Sequence, residues 1–320
     1  MPYDVIIIGG GPAGLSAALV LGRARKRVLL CDAGAPRNAR AEQIHTFVTR
    51  DGTPPAEFRR IGREQLRAYP SVEGRDVRVA AIAREGHEFV ATFADGTRAA
   101  ARRILLAVGV RDILPDDLPG LRELWGHSVF QCPYCHGWEV QDRRFAYLSP
   151  GPEWVRFGVF LTGWSRDVVV LTSGAYAVDE AARDELRRAG VGLDERPLRR
   201  LVARDGELVA LEFADGGTLA REVLFARPAQ QQTELVQSLG LELDEHGFVR
   251  VDMLGRTSVA GIFAAGDLTT PMQGALLAAA AGMQAAAGLN HELTVEHALS
   301  GDAAPARPPE ASRAPGGTGG

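Results

Sequence analysis

Cysteine is scarce: the 320 residues contain three, Cys31, Cys132 and Cys135. That excludes a small secreted domain stapled by disulfides, and the close spacing of two of the three is a catalytic pattern in a cytoplasmic protein. No lysine-rich or arginine-rich run is interleaved with aromatics and the net charge is −4, so nucleic acid is not an expected partner. The chain enters the apolar stretch Val5 to Ile8 almost at once, without the charged, apolar and cleavage regions of a signal peptide, so export is not expected. One uncharged stretch, Leu268 to Asn290, has the length of a membrane span. Thr269, Thr270, Pro271, Gln273 and Gln284 interrupt it and alanine dominates, which points to a buried helix and no membrane partner.

What is present, 46% hydrophobic and 24% charged residues, suffices for two compact domains. Val5 to Ile8 reads as a strand, Gly9 to Gly14 as a turn, Leu15 to Leu21 as a helix and Arg27 to Cys31 as a second strand ending at Asp32, the start of a parallel β-α-β unit. Further strands are expected at 77–81, 88–93 and 103–108. A second α/β segment follows, with strands at 145–148 and 167–171, a charged helix at 179–189 and a hairpin around Ala214-Asp215-Gly216-Gly217. The glycine-rich part from Gly255 to Asn290 returns to the composition of the first segment. The expectation is an α/β protein of two Rossmann-like, three-layer domains, the second inserted in the first. Residues 1–116 and 247–299 form one domain, 117–246 the insert, and 300–320, nearly devoid of apolar bulk, a disordered tail.

Gly9-Gly10-Gly11-Pro12-Ala13-Gly14 carries glycines at the three fingerprint positions, follows a strand, opens a helix and has Asp32 at the end of the next strand. Such glycines let the backbone turn tightly, admit a pyrophosphate and pack helix on strand, while the helix N-terminus offers N–H groups to phosphate. Asp32 would hold ribose hydroxyls. A glycine turn without a ligand is the plain alternative. Asp267, just past a second buried strand, suits a polyol, or simply caps the helix that follows. In Cys132-Pro133-Tyr134-Cys135-His136, two cysteines two residues apart can close a small disulfide ring, and one thiolate in such a motif often has a pKa of roughly 7 or below. Haem attachment and half of a zinc site share this spacing, but the lone Cys31 and scattered histidines supply no obvious zinc partners, and Cys31 reads as a small core residue.

The glycine loop, Leu105-Leu106-Ala107-Val108-Gly109, Pro119-Gly120, the central CxxC and the segment Thr257 to Asp267 occur in an order that resembles the low-molecular-weight thioredoxin reductases over about residues 3 to 290. The resemblance implies FAD, with Gly9, Gly11, Pro12, Ala13, Gly14, Asp32, Ala107, Gly109, Gly266, Asp267 and Gln273 as its contacts. It also implies a homodimer, with Cys135 facing the flavin and Cys132 attacking the external partner.

Two departures from that pattern bear on function. Where a second glycine fingerprint would bind NADP(H), the chain reads Ser149-Pro150-Gly151-Pro152-Glu153-Trp154, and no arginine cluster follows the next strand, so NADP(H) binding is in question. His136 stands where an aspartate is usual, and Cys-x-x-Cys-His is similar to the gliotoxin- and holomycin-type dithiol oxidases. The expected activity is therefore FAD-dependent dithiol oxidation through Cys132, Cys135 and His136, with O2 as acceptor and a small-molecule dithiol as partner. An NAD(P)H-dependent reductase acting on a thioredoxin-like protein and a flavin redox sensor are the alternatives. His45 approaches the flavin or is a structural loop histidine. Trp138, Trp154 and Trp164 line an apolar pocket or fill a core.

Overall fold

The structure, a computed structural model, describes residues 2–300; the expected tail beyond Ser300 lies outside the described residues. Two sheets organise the chain. The first is built from β1 (Tyr3–Ile8), β2 (Val28–Asp32), β3 (Val72–Asp76), β4 (Val79–Glu85), β5 (Glu88–Phe93), β6 (Arg98–Leu106) and a strand from near the other end of the chain, β17 (Ile262–Ala264). The order is β3-β2-β1-β6-β5-β4, with β17 on the later half of β6. Pairings among β3, β2, β1, β6 and β17 are parallel, and β4-β5-β6 is an antiparallel meander.

Val5 and Ile7 of β1 face one core, Ile6 and Ile8 the other, so both faces of the sheet are covered and the strand reads as a continuous apolar run. One face carries α1 (Pro12–Arg23) and the last helix, α8 (Ala275–Ser300). These two approach so closely that a Cβ on Gly282 would lie 2.0 Å from the Ala13 carbonyl oxygen. That contact explains the alanine and glycine richness of α8, and no helix among the described residues is long and apolar enough to cross a membrane. The amphipathic α2 (Pro55–Leu66), beside α1, is absent from the sequence reading, as is β3; both owe their place to packing and backbone pairing rather than to an apolar pattern.

The chain crosses to the second unit through β7 (Arg111–Ile113). There the short α3 (Leu121–Leu124), β8 (Val129–Phe130), α4 (Pro133–His136), β9 (Phe145–Leu148), α5 (Phe157–Leu161), β10 (Val168–Leu171), α6 (Glu180–Arg188) and β11 (Gly192–Asp194) follow. The antiparallel sheet β12 (Leu198–Arg204), β13 (Glu207–Phe213) and β14 (Thr218–Ala220) precedes β15 (Val223–Ala226), and β16 (Ala229–Gln231) leads out. The all-parallel sheet runs β11-β10-β9-β15-β8, with α5 and α6 on one face and the three-stranded sheet on the other. β16 pairs antiparallel with β7, so the outgoing and returning chains form one ribbon. Sequence reading places the return near residue 246. Val236 of α7 (Glu234–Ser238) and Leu241, within the span read as the insert, pack in the first sheet's core with Ile6, Leu29 and Phe93.

Candidate active site

The glycine loop divides its labour. Gly9 has φ +112° and its Cβ would stand 2.2 Å from the Ala107 carbonyl oxygen, so no side chain fits there. A Cβ on Gly14 would stand 1.8 Å from the Gly9 carbonyl oxygen, which lets α1 start against the strand. At Gly11 a Cβ would meet nothing within 4 Å, so this glycine leaves open space before the first turn of α1. Pro12 occupies that first turn, where a missing N–H costs nothing. Asp32, at the end of β2, lies close over Gly10 and accepts hydrogen bonds from Arg63 Nη2 at 2.7 Å and the Gly34 N–H at 3.2 Å.

Gly9, Gly11, Pro12, Ala13, Asp32, Ala107, Gly109, Gly266, Asp267 and Gln273 all line one cavity of about 1090 Å³, which reaches Cys132, Cys135 and His136. Gly14 is the one candidate set back from it. An unforeseen residue, Arg37, ties this site together. Its Nε and Nη2 donate to Asp112 at 2.7 Å each, Nη1 to Asp267 Oδ2 at 3.1 Å and to Gln273 Oε1 at 2.5 Å, and Nη2 to Gln131 Oε1 at 2.6 Å. Burial disfavours its charge, but Asp112 and Asp267 outweigh that and hold it protonated. Burial also raises the Asp267 carboxyl above its ordinary range, with Arg37 opposing. No local pattern could have revealed Arg37, because its partners come from three distant segments.

β8 delivers the chain through Gln131 to Cys132, and Cys132 and Cys135 form a disulfide across the single turn of α4. Gly137 follows because a Cβ there would lie 2.7 Å from the Trp164 ring. His136 stacks on Phe130 with ring centroids 4.5 Å apart, and both ring nitrogens are shielded from solvent, with the Cys132 backbone as their hydrogen-bonding neighbour. Burial lowers its pKa from the usual histidine value; Glu139 opposes that shift and His45 adds to it. Tyr134, 63% exposed, meets Phe160 at 5.7 Å and Trp164 at 5.5 Å, and Trp138 is 71% exposed, so an apolar face flanks the disulfide. Trp154 is elsewhere.

The corresponding crevice of the second sheet is differently furnished. After β9, Gly151 is fully extended, the Ser149 hydroxyl donates to its carbonyl at 3.0 Å and Pro152 opens a short turn. The Glu153 carboxylate folds back until a Cβ on Gly151 would be 2.7 Å from Oε2. The guanidinium of Arg227 lies 4.0 Å over the Trp154 ring, its charge disfavoured by burial. The hydroxyls of Tyr147 and Tyr176 are buried beside Ser149. A carboxylate and a proline therefore occupy the turn where a nucleotide diphosphate would need N–H donors.

The sequence matches the family described as pyridine nucleotide-disulphide oxidoreductase over residues 3–285. The chain belongs to that family. Among its relatives is thioredoxin reductase sirT of Leptosphaeria maculans, 32% identical over 91% of this chain and 94% of that protein. The crystal structure of HlmI superposes with a TM-score of 0.88 at 37% identity, covering 93% of this chain and 95% of that one. Putative thioredoxin reductase TrxB from Bacillus anthracis gives 0.87 at 35%, covering 92% and 99%. As a thioredoxin reductase-like member of the pyridine nucleotide-disulphide oxidoreductases, the protein is an FAD-dependent enzyme of two Rossmann-like domains. The open space at Gly11, the α1 N-terminus and the neighbouring Asp32 fit the dinucleotide part of that cofactor.

Proposed function

We propose that this enzyme oxidises a small-molecule dithiol through the Cys132–Cys135 disulfide, with O2 as terminal acceptor. The observation that carries the reading is the second crevice, where the Glu153 carboxylate and Pro152 fill the turn against a nicotinamide nucleotide while the disulfide opens on the cavity of the first domain. Bound FAD supplies a two-electron acceptor that passes its electrons to O2, giving H2O2. In this proposal the loop Gly9 to Gly14 receives its diphosphate, Asp32 its ribose and Asp267 its polyol, with Ala107, Gly109, Gly266 and Gln273 completing the lining.

Within the protein, His136 accepts a proton from the incoming thiol, a role for which its buried, neutral ring is suited near neutral pH. The substrate thiolate attacks the Cys132 sulfur and the Cys135 sulfur leaves as thiolate. The second substrate thiol then attacks the mixed disulfide, so that one substrate disulfide, two protein thiolates and two protons result. Tyr134 and Trp138 offer apolar contact to the substrate. A homodimer belongs to the same proposal, and the sparse cysteines suit a cytoplasmic setting.

The second reading, an NAD(P)H-dependent reductase of a thioredoxin-like protein, draws support from the names of relatives such as sirT. Oxygen uptake by the FAD-loaded enzyme with dithiothreitol as sole reductant separates the two. One H2O2 per disulfide formed is expected; a strict requirement for NAD(P)H overturns the proposal.

A further inference from the structure

His136 can take a proton from a thiol, but a second group must then remove it: the Cys135 sulfur has to remain a thiolate to pass electrons on, and both His136 nitrogens are shielded from solvent. The loop between β2 and α2 reaches toward this problem. It is clasped by Ile44 N–H to Thr53 C=O at 2.8 Å and Gly52 N–H to Ile44 C=O at 2.9 Å, and Phe47 packs edge-on against Phe58 of α2 at 5.3 Å. Inside the clasp Thr46 and Thr49 adopt φ +62° and +72°, unfavourable for β-branched residues and maintained only where surroundings dictate it. Asp51 Oδ1 accepts the Thr46 N–H at 2.8 Å and lies 3.5 Å from His45 Nδ1.

The strained turn aims His45 across the domain boundary, where its Nε2 lies 3.4 Å from Glu139 Oε1. Glu139 is three residues after His136, and its charge favours protonation of that ring while His45 opposes it. The titratable groups facing His45 are Asp51 from its own loop and Glu139 and His136 from the segment after β8. Side-chain exposure is 15% at His45, 40% at Glu139 and 65% at Asp51, so exposure rises from the shielded His136 ring through His45 to its two carboxylate neighbours.

We propose that His45 is a positioning residue of the redox centre: it holds the Glu139 carboxylate on the His136 side of the disulfide and, with Asp51, forms the outlet by which thiol protons reach solvent. This rests on the thiol-disulfide reading of Cys132 and Cys135, in either direction of electron flow. For each dithiol oxidised two protons leave by this route and two electrons pass to the cysteine pair.

The test compares anaerobic reduction of the FAD-loaded wild type, His45→Ala and Glu139→Gln by dithiothreitol between pH 6 and 9. Each variant should be slowed about tenfold, short of the roughly 100-fold or more for a group that transfers the proton directly. Added imidazole should restore His45→Ala and added acetate Glu139→Gln, and the double variant should be no slower than either single one, since both serve one step. In the FAD-free protein the His136 imidazole signal should titrate at lower pH in Glu139→Gln than in wild type. Unchanged rates, slowing that small buffers do not rescue, or an unmoved His136 titration overturns the inference. If His45→Ala does not fold, Glu139→Gln at an exposed site carries the test. Failure of the wild type to be reduced by a dithiol would overturn the proposed function instead.

Discussion

Gly9 and Gly11 stand two residues apart in one loop, yet their replacement by alanine should break different things. At Gly9 the new methyl would overlap the Ala107 carbonyl at 2.2 Å, and φ +112° is closed to alanine. Backbone strain of about 1–3 kcal/mol, plus the shift needed to relieve the overlap, gives a loss of roughly 3 kcal/mol or more. At about 2–4 °C per kcal/mol for a domain near this size, the FAD-free protein should melt at least about 6 °C lower. At Gly11 φ is −79°, ordinary for alanine, and the methyl meets nothing within 4 Å. The apoprotein should lose only about 1 kcal/mol, the penalty for alanine at a helix N-cap. That methyl, however, occupies the space through which a diphosphate reaches the N-terminus of α1. Losing one or two hydrogen bonds to a charged group, about 1.5–3 kcal/mol, weakens FAD binding roughly 10- to 100-fold. Scanning calorimetry of the apoproteins and fluorescence titration with FAD read the two effects separately. Normal FAD affinity in Gly11→Ala, or normal melting of Gly9→Ala, would refute the assignment of the loop.

His136 makes stability depend on pH. Its folded pKa lies below the unfolded one because of burial, so its contribution is present above the unfolded value near 6.5 and is lost as pH falls through the folded value. Between pH 7.5 and 5 the wild type should therefore lose more stability in urea than His136→Phe, which has no proton to bind; parallel pH curves would count against a buried neutral ring. Arg37→Ala leaves Asp112 and Asp267 facing each other without their cation. A loss of about 2–3 kcal/mol at pH 7 is expected by urea denaturation, discounted from the 3–5 of fully buried pairs because Arg37 keeps 24% exposure. The deficit should shrink in acid, as the Asp267 carboxyl, already raised by burial, takes up its proton.

Much of this arrangement could be read from the chain because the relevant signals are local. The run Val5 to Ile8, the glycine spacing, Asp32 and the CxxC each act within a few residues, and the structure brings the end of that run, the loop, Asp32 and the CxxC to one cavity. The charged helix expected at 179–189 is α6, with Asp179 accepting a hydrogen bond from the Ala182 N–H as its cap. What could not be read depends on distant partners. Val72–Asp76 has no strand pattern and becomes one by pairing with β2. The helix Pro55–Leu66 buries only Pro55 and Leu66, so its apolar signal is thin. Arg37 gains its meaning from Asp112, Gln131, Asp267 and Gln273. Glu139, three residues past His136, carries no signal in the sequence that connects it to His45.

The central claim is that electrons enter from a dithiol rather than from a nicotinamide nucleotide. Rapid mixing of the FAD-loaded enzyme, without oxygen, against excess dithiothreitol and separately against NADPH and NADH tests it directly. The account predicts that the dithiol bleaches the flavin absorbance at a rate matching turnover, that air restores the colour with release of peroxide, and that neither nucleotide bleaches it on that timescale. Bleaching by NADPH or NADH as fast as turnover would contradict it, and would mean that the turn at Ser149 to Trp154 admits a nucleotide despite Glu153.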